Sequence, residues 1–287
     1  MPNERRPSGS PTVRRRELGA MLRALRNERG LTVDQVAGEL LCSPSKVSRM
    51  ETGHRGATLR DIRDLCDLYE VTGAADRERL MTLAREGKQQ GWWQSFSLPY
   101  TTYVGLEQEA SSLATFQSAV VPGLFQVADY IRAIHRAGIP RLEDEAIEER
   151  VEERGKRQQI LTGAGAPRVE AFLDEAVFRR PVGAPAVMRR QLSRLIEISE
   201  RPNVTIQVIP FSVGAHPALE SNFTILEFAG RAPTIVHTES LAGPLYLERD
   251  QDIERYMLAL DLLRGLALDP EASAQLIAKI RDAYPSR

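Results

Sequence analysis

Residues Thr32 to Gly53 read T-V-D-Q-V-A-G-E-L-L-C-S-P-S-K-V-S-R-M-E-T-G, and the spacing within them decides the fold of the N-terminal part. Thr32 is a favourable N-cap, because its hydroxyl can accept a free N–H of a starting helix. Gln35, three residues later, completes a capping-box pattern. Val33, Val36, Ala37 and Leu40 recur at helical spacing, which predicts a short amphipathic helix to about Leu40. Leu41 and Cys42 form the turn. Ser43 caps a second helix, and Pro44 takes its first position, where a missing N–H costs nothing. Val47 and Met50 point inward from that helix, while Ser45, Lys46, Ser48 and Arg49 point outward. Gly53 stops it by permitting a left-handed residue. Two short helices, a tight turn and a polar, cationic outer face describe a helix-turn-helix. An αα-hairpin in a helical bundle has the same pattern, so the flanks carry the decision.

Before this stretch, Arg14 to Arg29 places Leu18, Met21, Leu22 and Leu25 on one helical face and ends at Gly30. After it, Thr58 caps a helix with Leu59, Ile62, Leu65, Cys66, Leu68 and Tyr69, and a fifth helix from about Asp76 to Lys88 carries Leu80, Met81 and Leu83. The expectation is an all-α five-helix domain over residues 14–90, behind a disordered Arg/Pro/Ser-rich tail over 1–13. Arg14, Arg15 and Arg16 at that junction suit a DNA backbone contact, entry into a minor groove, or a plain solvated tail.

These residues resemble the DNA-binding domain of phage-repressor or XRE-type regulators over roughly residues 14–75. The pattern T-x-x-Q-x-A, then S-x-x-x-x-S-R-x-E-x-G, stands at Thr32, Gln35, Ala37, Ser43, Ser48, Arg49, Glu51 and Gly53. The resemblance implies that Arg26 and Glu51 form a structural pair tying the first helix to the recognition helix. It also marks a departure: Pro44 stands where some phage repressors carry a base-reading side chain, which leaves fewer direct base contacts. Within the recognition helix Arg49 is the leading base reader, since arginine pairs with guanine through two hydrogen bonds, with a phosphate contact as its other role. Ser43, Thr52, His54 and Arg55 surround the helix ends and suit phosphate contacts, which fix register.

A chain of 287 residues suggests two domains. Its 42% hydrophobic content is enough for buried cores, and no run approaches the roughly 18 apolar residues of a membrane span. An apolar signal core is likewise absent from the N-terminus, so a cytoplasmic protein is expected. The two cysteines, Cys42 and Cys66, lack metal-ligand spacing and suit buried thiols in a reducing compartment. Net charge is −1, which by itself argues against a nucleic-acid binder. Its distribution argues the other way: residues 1–57 hold 11 Lys/Arg against 6 Asp/Glu, leaving 27 against 33 in the remainder. The basic excess lies with the helix-turn-helix, as a phosphate-binding surface requires.

Between residues 91 and 103 helical periodicity fails and Trp92, Trp93, Phe96, Tyr100 and Tyr103 crowd together. They suit a linker packed onto the second domain or an aromatic ligand wall. The second domain, residues 104–287, is expected to be α+β or α/β, a small sheet of about five strands flanked by helices. Helices are predicted over 107–120, 124–137, 142–161, 184–200, 250–266 and 270–283, and strands over 168–178, 204–209, 223–228, 234–238 and 244–247. The alternating Glu and Arg of 148–154 suggest a solvated face with i,i+4 pairs.

This half also resembles a family. V-P-G-L-x-Q-x-x-D-Y (Val121 to Tyr130), L-D-E-A (Leu173 to Ala176), R-R-P-V-G (Arg179 to Gly183), P-N-V-T-I-Q-V-I-P (Pro202 to Pro210), G-A-H-P (Gly214 to Pro217) and E-S-L-A-G-P-L-Y-L-E (Glu239 to Glu248) look like the C-terminal domain of actinobacterial antitoxin-like regulators of the WhiJ type. The resemblance implies binding of a small protein partner, encoded nearby, through this half.

Asp174, Glu175, His216, His237, Glu239 and Glu248 are the candidates for acid–base or metal chemistry. No His-x-x-x-His, Cys-x-x-Cys, nucleophile elbow or phosphate loop accompanies them, so no catalytic residue, metal or cofactor is expected. A non-catalytic site for a partner or small-molecule effector, drawing on Trp92, Trp93, Asp174, Glu175, His216, His237 and Glu239, remains open. The reading is a sequence-specific regulator of double-stranded DNA, acting as a homodimer because one helix-turn-helix contacts too few bases.

Overall fold

The computed structural model describes residues 10–96, 98–163, 165–230 and 232–285; the 1–9 part of the expected tail lies outside them. The chain divides into two units, one of residues up to Glu109 with Phe228–Pro233, the other of Ala110–Glu227 and Thr234 onward.

Five helices open the first unit: α1 (Pro11–Glu28), α2 (Val33–Glu39), α3 (Pro44–Glu51), α4 (Leu59–Leu68) and α5 (Ala74–Glu86). α1 starts three residues before the apolar periodicity marks it, because Pro11 is accommodated in the first turn. Leu18 and Leu22 of α1, Val36 and Ala37 of α2, Val47 and Met50 of α3, Ile62 and Leu65 of α4, and Leu80 and Leu83 of α5 make one buried core. The unit continues through a 3-10 turn at Trp92–Ser95 and α6 (Thr101–Glu107). Trp93, Phe96, Leu98 and Val104 form a second small core, with Trp92 and Tyr100 against it. Gly105 is required there, since a Cβ would lie 2.4 Å from Thr12 Oγ1 and 2.9 Å from the Trp93 ring.

The second unit is built on a six-stranded sheet of order β3-β2-β1-β4-β5-β6. Its elements follow as β1 (Ala110–Gln117), α7 (Ala128–Arg136), α8 (Asp144–Gln158), β2 (Arg168–Asp174), α9 (Ala176–Arg179), α10 (Pro185–Ser199), β3 (Val204–Ile209), β4 (Phe223–Phe228), β5 (Ile235–Ser240), β6 (Gly243–Leu247), α11 (Asp250–Leu266) and α12 (Pro270–Ala283). β1, β2 and β3 are parallel, with Phe116 opposite Phe172 and Val169 opposite Val204. β4, β5 and β6 pair antiparallel. On one face of the sheet Phe116, Phe172, Phe223, Ile225 and Val236 pack with Leu260 and Leu263 of α11. On the other, Leu113, Ala171, Leu173, Ile206 and Val208 are also buried. There the Ser273 hydroxyl of α12 accepts from the Val208 N–H of β3 at 3.0 Å.

Three expectations are corrected. The sheet has six strands, because Ala110–Gln117, read as helix, is the central strand β1. Leu113 and Phe116 mimic helical spacing, but a parallel strand covered on both faces buries consecutive residues and shows no alternation. The helix expected over 124–137 is a 3-10 turn (Gly123–Phe125) followed by α7. The strand expected over 168–178 stops at Asp174, where Ala176–Arg179 turns into a short helix.

Candidate nucleic-acid interface

The helix-turn-helix closes as its caps dictate. Thr32 Oγ1 accepts from the Gln35 N–H at 3.2 Å, and the Thr32 N–H donates to Gln35 Oε1 at 2.8 Å. Ser43 accepts from the Lys46 N–H at 3.3 Å, so one of the free amides at the start of α3 is satisfied locally. Between them Leu41 holds φ +49° with its side chain 94% exposed, an uncommon conformation for a bulky residue. Gly53, at φ +70°, ends α3.

The inward end of α3 is clamped. Arg26 of α1 donates through Nε to Glu51 Oε1 at 2.6 Å and through Nη2 to Oε2 at 2.9 Å, while its Nη1 donates to the Leu31 carbonyl at 2.8 Å. One guanidinium therefore joins α1, the α1–α2 turn and α3. Glu51 is buried, with Arg23 Nε 3.8 Å from its other side. The Glu51 hydrogen bonds hold Arg26 above its ordinary pKa, and burial followed by the Glu51 charge pushes the Tyr69 phenol up. Two glycines permit the approach of α1 to the end of α3. A Cβ at Gly19 would lie 2.5 Å from the Glu51 carbonyl oxygen, and one at Gly53 would lie 2.7 Å from Arg16 Cγ.

The outward side of α3 is solvent-facing. Ser45, Ser48 and Arg49 are exposed, as are Ser43 and Pro44 at its start. Arg49 Nε donates to the Ser45 carbonyl at 3.1 Å, laying the guanidinium along the helix surface. Thr52 Oγ1 donates to the Ser48 carbonyl at 2.9 Å and lies 2.9 Å from His54 Nδ1. Burial and then the Arg16 charge hold His54 below its ordinary pKa. Arg55 is exposed, its amide bonded to the Arg49 carbonyl. Lys46 differs from expectation. Its ammonium turns back onto Asp61 of α4 at 2.6 Å, and the same carboxylate caps α4 through Thr58. Burial raises the Asp61 pKa, but the Lys46 and Thr58 hydrogen bonds outweigh it and lower the group overall.

The run Arg14–Arg16 is neither tail nor free arm. All three sit in α1: Arg14 meets Glu17 at 2.9 Å and Glu86 at 3.1 Å, Arg15 Nε donates to the Pro11 carbonyl, and Arg16 is buried beneath Gly53. Sequence reading placed the run at the start of the first helix but left its contacts open, because a proline only three residues before it makes it look like the end of a tail.

The C-terminal candidates do not form one site. Asp174 and His216 meet at the carboxyl end of β2, and Glu175 follows Asp174 in the chain. His216 Nε2 lies 3.6 Å from Asp174 Oδ2, its Nδ1 accepts from the Ala218 N–H, and its ring is edge-on to Phe116. Glu175 is bonded to Arg179 and to the Phe211 N–H. His237 is buried on β5 with its ring 5.3 Å from Tyr246, whereas Glu239 further along the strand is exposed. Trp92 and Trp93 belong to the first unit, edge to face with centroids 6.0 Å apart. Among the described residues, no group of three or more His, Cys, Asp or Glu side chains is placed to hold a metal ion.

The motif Val121 to Tyr130, expected to be helical from Leu124 on, is the centre of a polar network. Gln126 Nε2 donates to the Val121 carbonyl, Gln158 Nε2 to the Gln126 carbonyl, and Gln191 Nε2 to the Phe125 carbonyl. Arg154 Nη1 donates to Gln126 Oε1 at 2.7 Å. The face expected to be solvated on α8 is instead buried at Arg150, Glu153, Arg154 and Arg157. A Cβ at Gly123 would lie 2.8 Å from Arg154 Nη1, so a side chain there would have to displace that guanidinium.

Residues 17–80 match the family model of a helix-turn-helix domain. With the capped, clamped α3 and its exposed polar face, this makes the chain a helix-turn-helix DNA-binding regulator. Residues 100–279, more than half of the chain, match the model of the domain of unknown function DUF5753, and the chain belongs to that family. Neither the curated proteins nor the solved structures give a match. Among the described residues, no helix is long and apolar enough to cross a membrane.

Proposed function

We propose that this regulator binds a specific site on double-stranded DNA through the outward face of α3, and that the second unit controls that binding. The observation that carries the reading is the contrast within α3. Its inner end is fixed by the Arg26–Glu51 pair, while Ser45, Ser48 and Arg49 stand exposed on the opposite side. Arg49 is the base reader: on binding it exchanges its bond to the Ser45 carbonyl for a bidentate contact to guanine. Ser43, Pro44, Thr52, His54 and Arg55 line the ends of α3 and set its register against phosphates. Lys46 contributes charge from its place beside Asp61. Two copies on a two-fold site supply the specificity that one helix lacks. The reading places the protein with DNA in the cytoplasm.

Control by a small protein partner is the preferred mode, supported by the antitoxin-like motifs of the second unit. A small-molecule effector is the second reading. Asp174 and His216 favour it by meeting at the carboxyl ends of parallel strands, where α/β sheets bind ligands, with Glu175 beside Asp174 in the chain.

The test is footprinting of the purified full chain on its own genomic DNA at near-physiological salt, beside Arg49→Ala. Short two-fold sites that depend on Arg49 support the reading. Binding that is equally weak at all sequences, with and without the neighbouring small protein, would sink it.

A further inference from the structure

α11 carries an exposed apolar stripe. Leu258 and Leu262 are 62% and 49% exposed, on the side away from Leu260 and Leu263, which are buried against the sheet, and Leu266, 38% exposed, lies at the edge of the stripe nearer Leu263. Gln251, Arg255, Leu258, Leu262 and Gly265 follow one another by alternating steps of four and three, the spacing by which one helix keeps contact with another. Among the described residues, a Cβ on Gly265 would meet nothing within 4 Å, so none of them requires glycine there. Yet glycine weakens a helix relative to alanine. The glycine and the leucines thus lie on one unpartnered face.

We infer that two copies of this chain meet through this face, with their α11 helices antiparallel about a two-fold axis level with residue 260. In that arrangement Leu258 of each copy lies level with Leu262 of the other, and Arg255 lies level with Gly265. The absent side chain makes room for the arginine stem, and the C-terminal carbonyls of the facing helix attract its charge. A second copy suits the face because a single stripe supplies both halves of the contact, as an isologous interface requires. The edge strand β6 is less suited to the task, since its Pro244 has no N–H to offer an added strand. Three leucines per copy bury far less than the roughly 1,200 Å² of a standard interface. The dimer is therefore weak alone and closes on DNA, where adjacent half-sites raise the local concentration. The inference rests on the DNA-binding reading only for that last step.

The test is sedimentation velocity of the full chain over a wide concentration range, then titration onto a duplex carrying one or two of the half-sites recovered by footprinting. Wild type is expected to associate reversibly, and Leu258→Asp or Leu262→Asp to weaken association by at least about tenfold with an unchanged circular-dichroism spectrum. Gly265→Gln is expected to raise the Tm while weakening association, a split that misfolding cannot mimic. Variants that associate like wild type overturn the inference, as does a wild type that stays monomeric both in solution and on the two-half-site duplex. Association through α11 without any specific DNA site supports this face and removes the DNA-binding reading alone.

Discussion

Helix α3 buries Val47, Met50 and Glu51 and exposes Ser45, Ser48 and Arg49, whereas α8 buries Ile147 together with Arg150, Glu153, Arg154 and Arg157. Both helices are rich in charge, yet their arginines lie on opposite sides. α3 has apolar residues to commit to a core, so its cation is left to solvent. α8 offers Ile147 as its one fully buried aliphatic, so its inner face is built from guanidiniums whose donors need acceptors. The loop of residues 121–127 supplies one of them in Gln126.

That contrast can be broken at its strongest point by Glu51→Ala. It leaves Arg26 as a largely buried cation without its carboxylate, and should destabilise the first unit by about 3–5 kcal/mol. Thermal and urea unfolding measure it; an unmoved midpoint would mean that the clamp is not what fixes α3.

Acid should reach the second unit through its histidines. Burial first, and then nearby arginines, push His135 and His237 down to about 4. Unfolded histidine titrates near 6.5, so the unfolded chain takes up protons first as pH falls. The contribution of these groups is complete above about pH 6.5 and is lost as pH drops toward 4, by roughly 2–3 kcal/mol for His237 and less for the more exposed His135. Urea midpoints at pH 7 and 4.5 would show the loss, and His237→Gln should flatten it. An equally steep fall in that variant would assign the acid sensitivity elsewhere.

Arg49→Ala tests the exposed side. Folding stability should stay within about 0.5 kcal/mol. Specific DNA affinity should fall by about 1–3 kcal/mol, with discrimination relaxed at one base pair. Unchanged selection among sites would remove Arg49 from base reading. The smallest effect is expected at Leu41, where glycine relieves a left-handed backbone strain: Leu41→Gly should stabilise by about 1 kcal/mol. A loss of stability would show that the exposed leucine has a packing role.

The two short helices α2 and α3 were legible because cap, period and stop signal agree at Thr32, Ser43 and Gly53. β1 was not, since Leu113 to Phe116 are buried without alternation and their spacing fits a helix equally well. The site was legible in part. Outward Arg49 follows from periodicity, but the turn of Lys46 toward Asp61 depends on a residue of the next helix that also caps that helix. The inward arginines of α8 were hidden for a related reason. Charge patterns favour solvent on average, and here Glu153 of the same helix and Gln126 of the 121–127 loop accept from the buried guanidiniums.

Gly19 separates what can be rewritten in this protein from what cannot. With the Glu51 carbonyl oxygen 2.5 Å from where a Cβ would stand, any side chain at that position tilts α3 as a body. Positions 45, 48 and 49 touch no such constraint. A library that varies those three and holds 19, 26, 51 and 53 fixed would change what the helix presents without changing where it is presented, so the domain can be treated as a cassette holder with an interchangeable face.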